Sequence, residues 1–280
     1  MKKKTRIITV LASLALLLAL GGYLVVRRLS RPPVVVGQEI YPPRPGGPAI
    51  DHRALDGLLR RFVADGMVEY AGLKHYQSVL QQYLEQIAGL DQRQYGRDEL
   101  LALFINAYNA TTLKLILEHF PGIHSIRDIP SSQRWQDRRW RIAGETLSID
   151  EIENKVLRKR FREPRIHFAI VCASIGCPPL RAEAYRGGQI DSQLAAQASI
   201  FNQSERYVKL QENTLWLSSI YDWYSEDFKS AAGSVLGYVA SYSNGVVREA
   251  IQRRGNDLQI EYLPYDWRLN APGNAGSSER

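Results

Sequence analysis

The chain has 280 residues and a formal net charge of +7, from 36 Lys and Arg against 29 Asp and Glu. Seven of the basic residues and none of the acidic ones fall within residues 1–31, which leaves 29 basic residues against 29 acidic ones in the rest of the protein. A neutral body lacks the broad positive field that phosphate-backbone binding uses, and no zinc-finger or nucleotide-loop motif replaces it, so nucleic acid is excluded as the expected partner.

The sequence opens with MKKKTR and continues IITVLASLALLLALGGYLVV, residues 7–26, without a charge until Arg27. At about 1.5 Å per residue, a helix of that length spans roughly 30 Å, the hydrocarbon thickness of a bilayer. No small-x-small cleavage site follows it, which predicts a retained signal-anchor rather than a removed signal peptide. Lys2, Lys3, Lys4 and Arg6 favour a cytoplasmic amino terminus, opposed in part by Arg27, Arg28 and Arg31. The expected location is the inner membrane, single-pass through residues 7–26, with the globular domain on the periplasmic side and the basic flanks against anionic headgroups. Residues 32–50 are rich in Pro and Gly and read as a spacer.

From Asp51 to Asn270 the composition suits one globular domain, followed by a disordered tail at 271–280. Apolar residues at helical spacing predict helices over about 54–63, 76–88, 97–120, 190–203, 220–228 and 235–253. Hairpins are expected at 139–149, around an Ala-Gly turn, and at 206–218, around Glu212 and Asn213. Ser148 and Glu151 have the spacing of a capping box that opens a helix running to Arg160. HFAIVC, 167–172, is apolar on both faces and reads as an inner strand; DLQIEYLPYDW closes the domain with another. These elements predict an α+β fold: a single helix-rich domain with a small mixed or antiparallel sheet, preceded by one transmembrane helix.

Both cysteines, Cys172 and Cys177, lie in the run HFAIVCASIGCPPL. In an oxidising compartment, two cysteines five apart across a turn are candidates for a local disulfide. Unpaired structural thiols, a nucleophile and metal ligands remain the other readings. For catalysis, Cys177 is the candidate nucleophile, His167 its base, and Asp266 or Asn109 the group that orients the imidazole. A metal site is not expected, because His167, Cys172 and Cys177 lack both a fourth ligand and the paired short spacing of structural zinc, and no HExxH is present. No cofactor is implied. Asn106 and Asn109 share one face of a predicted helix in FINAYNATT, where asparagine needs a reason; completing hydrogen bonds of a buried loop ranks above orienting a histidine or a substrate. In a binding domain, Asn106, Tyr108 and Tyr265 are the candidate ligand contacts.

YAGLKHYQSVLQQYLEQIAGL, FINAYNATTLKLI, IAGETLSIDEIENKVLR, HFAIVCASIGCPPLRAEAY, SIYDWYSEDF and YLPYDWRLN occur in this order and together resemble the family named domain of unknown function 547. The resemblance spans nearly all of residues 50–270 and includes the Asn106-Tyr108-Asn109 block, His167, both cysteines and the closing Tyr-Asp-Trp. It implies a bacterial envelope or secreted protein and carries no catalytic assignment. Three functions compete: a noncatalytic binding or scaffold domain facing an envelope protein, peptide or glycan; a thiol hydrolase or acyl transferase, papain-like or transglutaminase-like by fold-level analogy alone; and, last, a polysaccharide-cleaving domain.

Overall fold

The computed structural model describes residues 40, 41 and 47–274, so the expected membrane segment 7–26 lies outside the described residues. Two parts of the expected flanks have defined structure. Tyr41, in the predicted spacer, stacks on Phe161 with ring centroids 4.9 Å apart, and residues 272–274, in the predicted tail, form a 3-10 turn.

Helix Arg97–His119 organises the domain. Residues Leu100–Leu113 are buried without a break, because its apolar positions are not confined to one stripe. Among the described residues it is the one helix long and apolar enough to cross a membrane, yet 94% of its most apolar window is buried inside the domain, which makes it the core helix. Helices Arg53–Phe62 and Gln77–Ala88, the hairpin of β3 (Trp140–Ile142) with β4 (Glu145–Leu147), and a π-helical turn at Ile152–Leu157 assemble around it. Ala143 and Gly144 both have positive φ in the hairpin turn, as a tight type I′ connection requires. The Ser148–Glu151 capping box is present in both directions.

A second apolar cluster lies toward the carboxy-terminal half. It joins helix Ile190–Asn202 to a three-stranded sheet in the order β5 (Val208–Gln211), β6 (Thr214–Ser218), β7 (Gln259–Leu263), and to the helices between β6 and β7. β5 and β6 are antiparallel, whereas β6 and β7 are parallel, so the sheet is mixed. The predicted helix at 220–228 is broken at Tyr224 into Ser219–Trp223 and Ser225–Ala232. The one at 235–253 is broken at Ser243, where Asn244 caps a new start.

The expected inner strand at 167–172 is not formed. Pro164–Phe168 is a 3-10 helix capped by Glu163, and residues 169–186 continue without helix or strand. Both faces of the segment are apolar for a different reason. Phe168 enters the second cluster, 4.8 Å from the ring of Phe201, while Ile166, Ala169, Ile170 and Val171 enter the first. Buried backbone without a sheet neighbour still needs partners. Asn109 supplies them from the core helix, donating to the Ala169 carbonyl at 3.0 Å and accepting from the Val171 N–H at 2.9 Å. Asn106 grips Tyr185 likewise, at 2.7 Å to its carbonyl and 2.9 Å from its N–H. Gln193 holds Arg186 N–H and the Ala184 carbonyl, and Asp56 accepts from Ala184 N–H.

Gly66 marks where the turn between β1 (Val63–Ala64) and β2 (Met67–Val68) presses on this loop. Its φ is +78°, and a Cβ there would lie 2.5 Å from Pro179 Cβ. Gly57, in contrast, sits exposed in helix Arg53–Phe62 with open space around it. Gly66→Ala is therefore expected to lower stability by about 2 kcal/mol or more, and Gly57→Ala to raise it by up to about 1 kcal/mol. Urea unfolding of the two variants against wild type checks both signs.

Candidate functional site

The loop from Cys172 to Cys177 is held by the closing segment of the domain. Ile175 N–H donates to the Arg268 carbonyl at 2.9 Å, Gly176 N–H to that of Asp266 at 2.8 Å, and Asn270 N–H to that of Ala173 at 3.1 Å. Ala173 takes a left-handed φ of 62° to make this turn. Gly176 permits the approach, since a Cβ on it would lie 2.9 Å from the Asp266 nitrogen and 3.0 Å from the Tyr265 ring. Tyr207 donates to the Cys177 carbonyl at 2.8 Å and Arg206 to that of Ile175 at 2.6 Å.

These restraints bring the two sulfurs to 2.7 Å, each a free thiol, with the Tyr265 hydroxyl 3.2 Å from Cys172 Sγ and 3.0 Å from Cys177 Sγ. Cys172 is partly exposed and Cys177 is 4% exposed. The pair divides its protons unequally. Hydrogen bonding from Cys177 lowers the Cys172 pKa, helped by Tyr265 and Ser174, whereas burial and then the neighbouring sulfur push Cys177 well up. The first thiolate of the pair therefore belongs to Cys172, and its presence suppresses ionisation of the second.

A second polar group is built on the π-helical turn, the 3-10 helix at 164–168 and helix Ser225–Ala232. His167 Nε2 lies 2.8 Å from Asp227 Oδ2, and Arg158 donates to both oxygens of that carboxylate at 2.8 and 3.0 Å. The imidazole stacks on Tyr224 at 3.9 Å, and Tyr224 donates to Glu153 at 2.5 Å. Burial lowers the His167 pKa against the pull of Asp227, which favours the neutral ring. Burial also raises Asp227, but the bonds from His167 and Arg158 prevail and hold it at about 2. Tyr108 is buried, and burial first, then the charges of Glu153, Cys172, Tyr224 and Cys177, raise its phenol well above the usual value.

The residues singled out from sequence are thus only partly brought together. Tyr265 meets both cysteines. His167 has neither sulfur among its hydrogen-bond partners, and its carboxylate is Asp227 rather than Asp266. Asp266 is paired instead with the guanidinium two residues on, Arg268. Asn106 and Asn109 have both ends of their amides committed to backbone. Sequence reasoning did not pick out Glu153, Arg158 or Tyr224 for this site, nor Cys172 as the more acidic thiol. SIYDWYSEDF carried the signal for Asp227, as a carboxylate pinned within an aromatic cluster. Among the described residues, no group of three or more His, Cys, Asp or Glu side chains gathers as a metal would require.

Residues 92–201 match the family model described as protein of unknown function, DUF547. The matched stretch is similar to DUF547 over about two fifths of the chain. It contains Asn106, Asn109, Glu153, Arg158, His167 and both cysteines; Tyr224, Asp227 and Tyr265 lie beyond the DUF547 match and complete the two clusters from the carboxy-terminal side. No curated protein and no solved structure matches this chain.

The buried imidazoles set a pH dependence. His52, whose Nδ1 lies 2.8 Å from the Tyr83 hydroxyl, is lowered to about 4 by burial, and His167 is lowered too. Unfolded imidazole titrates near 6.5, so between about pH 6.5 and the folded values the unfolded chain binds more protons. Stability is complete above about pH 6.5 and falls toward pH 4, by up to about 1.4 kcal/mol per pH unit for each proton. The Asp227 contribution has the opposite origin and the same direction: present above about pH 4, lost toward pH 2. Urea midpoints between pH 8 and 4 should show this fall, and His52→Gln should flatten it; midpoints constant to pH 4.5 in the wild type would contradict it.

Proposed function

We propose that this protein is an inner-membrane envelope protein, anchored through residues 7–26, whose periplasmic domain serves as a noncatalytic binding or scaffold module for an envelope protein, peptide or glycan. The anchor rests on twenty uncharged residues between basic flanks. The binding face we assign is the cleft of about 220 Å³ lined by Ile175, Gly176, Arg206, Ser219, Tyr265 and Asp266. Beside it stand the half-buried rings of Trp223, Tyr265 and Trp267, with Tyr265 4.7 Å from Trp223 and 4.5 Å from Trp267. Rigid aromatic faces next to a few fixed polar groups suit recognition of an amphipathic ligand.

One observation carries the choice of binding over hydrolysis: neither sulfur is bonded to His167, since Cys172 and Cys177 are partnered by each other and by Tyr265, and Cys177 is buried with its thiol pushed up. A papain-like or transglutaminase-like mechanism needs that imidazole at the thiol. Full-length protein is therefore expected to give no acyl-enzyme burst with p-nitrophenyl acetate beyond that of Cys177→Ser. A stoichiometric burst abolished by either Cys177→Ser or His167→Ala would overturn the reading. Cell fractionation should place the intact protein with the membrane, and deletion of residues 7–26 should release it.

A further inference from the structure

The geometry points to a thiol–disulfide exchange site at Cys172 and Cys177, in which Cys172 attacks an external disulfide and Cys177 resolves the mixed disulfide that results. This goes beyond the binding function proposed above and does not depend on it. Three features of the site are those the reaction needs. The sulfurs are 2.7 Å apart, so resolution requires no large movement. One thiol is partly exposed and the other is 4% exposed, which fixes the order of attack. A single hydroxyl, that of Tyr265, reaches both sulfurs at 3.2 and 3.0 Å and is seated by the bare α-carbon of Gly176, giving a hydrogen bond to whichever sulfur carries charge. The lowered pKa of Cys172 agrees with its role as attacker.

The exchange balances. Cys172 thiolate forms a bond to one sulfur of the external disulfide, whose S–S bond breaks, and the leaving thiolate takes up the proton that Cys172 released. Cys177 then attacks Cys172 Sγ, the mixed bond breaks, and the proton of Cys177 passes to the second leaving thiolate. The pair loses two electrons and two protons; the external disulfide gains both and becomes two thiols.

The test incubates reduced full-length protein in detergent micelles with oxidised glutathione, or with a disulfide-bonded model peptide, and follows the products by mass spectrometry after an acid quench. Wild type should become internally disulfide-bonded without retaining an adduct, and reopen with excess reduced glutathione. Cys177→Ser should retain one adduct on Cys172, and Cys172→Ser should react at least about tenfold more slowly. Tyr265→Phe should slow the reaction about tenfold and move its pH profile upward, with unchanged circular dichroism. Reaction with only one of the two probes tells a small-molecule disulfide from a protein one. The proposal is overturned if wild type reacts only in denaturant, if its oxidised form resists reduced glutathione until unfolded, or if Cys172→Ser captures an adduct on Cys177 at the wild-type rate. Should the serine variants not fold, wild type and Tyr265→Phe decide the matter.

Discussion

Asn109 is the residue on which the arrangement of this domain turns. Its amide replaces a sheet neighbour for the buried stretch 169–171, binding one carbonyl and one N–H that would otherwise be desolvated without partners. Each orphaned group would cost about 1–3 kcal/mol, more than an ordinary surface contact returns. Because Asn109 sits on a helix whose residues Leu100–Leu113 are all buried, its position is fixed by packing. The loop inherits that rigidity.

Consequences run outward from this grip. With 169–171 held, Phe168 on one side fills the carboxy-terminal cluster and Ile170 and Val171 on the other fill the amino-terminal one, so a single segment ties the two apolar groups together. His167 and Cys172, at either end of the held stretch, are delivered to separate polar clusters. The first is closed by Asp227 and Arg158, the second by Cys177 and Tyr265. A long buried connection without regular structure is uncommon in a compact domain and is retained where it carries a function. Here it carries the two thiols.

Much of the fold could be read from local chemistry. The capping box at Ser148 and Glu151, the Ala143-Gly144 turn and the helix ended at Pro121 are decided by neighbours within a few residues, and they are where the spacing puts them. The stretch 167–172 was illegible because its apolar residues on both faces reflect two clusters formed by distant parts of the chain. A buried strand gives the same pattern. Asp227 and Asp266 stand in similar aromatic-acid surroundings, and nothing local says that one faces His167 while the other is taken by Arg268 two residues on. Pairing across 60 residues is a property of the packed domain. The asparagines were the more legible part: two amides inside an apolar helix are costly unless something buried needs them, and the segment they serve is the one that lacks a ladder.

Native-state hydrogen exchange at the Val171 amide tests this account most directly. In the wild type that N–H should exchange as slowly as amides of the core helix 97–119. In Asn109→Ala, it should exchange at the rate of a locally opened loop, with the core helix still protected. A Val171 amide that exchanges quickly in the wild type, or one left unchanged by the substitution, would contradict the claim that the Asn109 side chain holds the thiol-bearing segment in place.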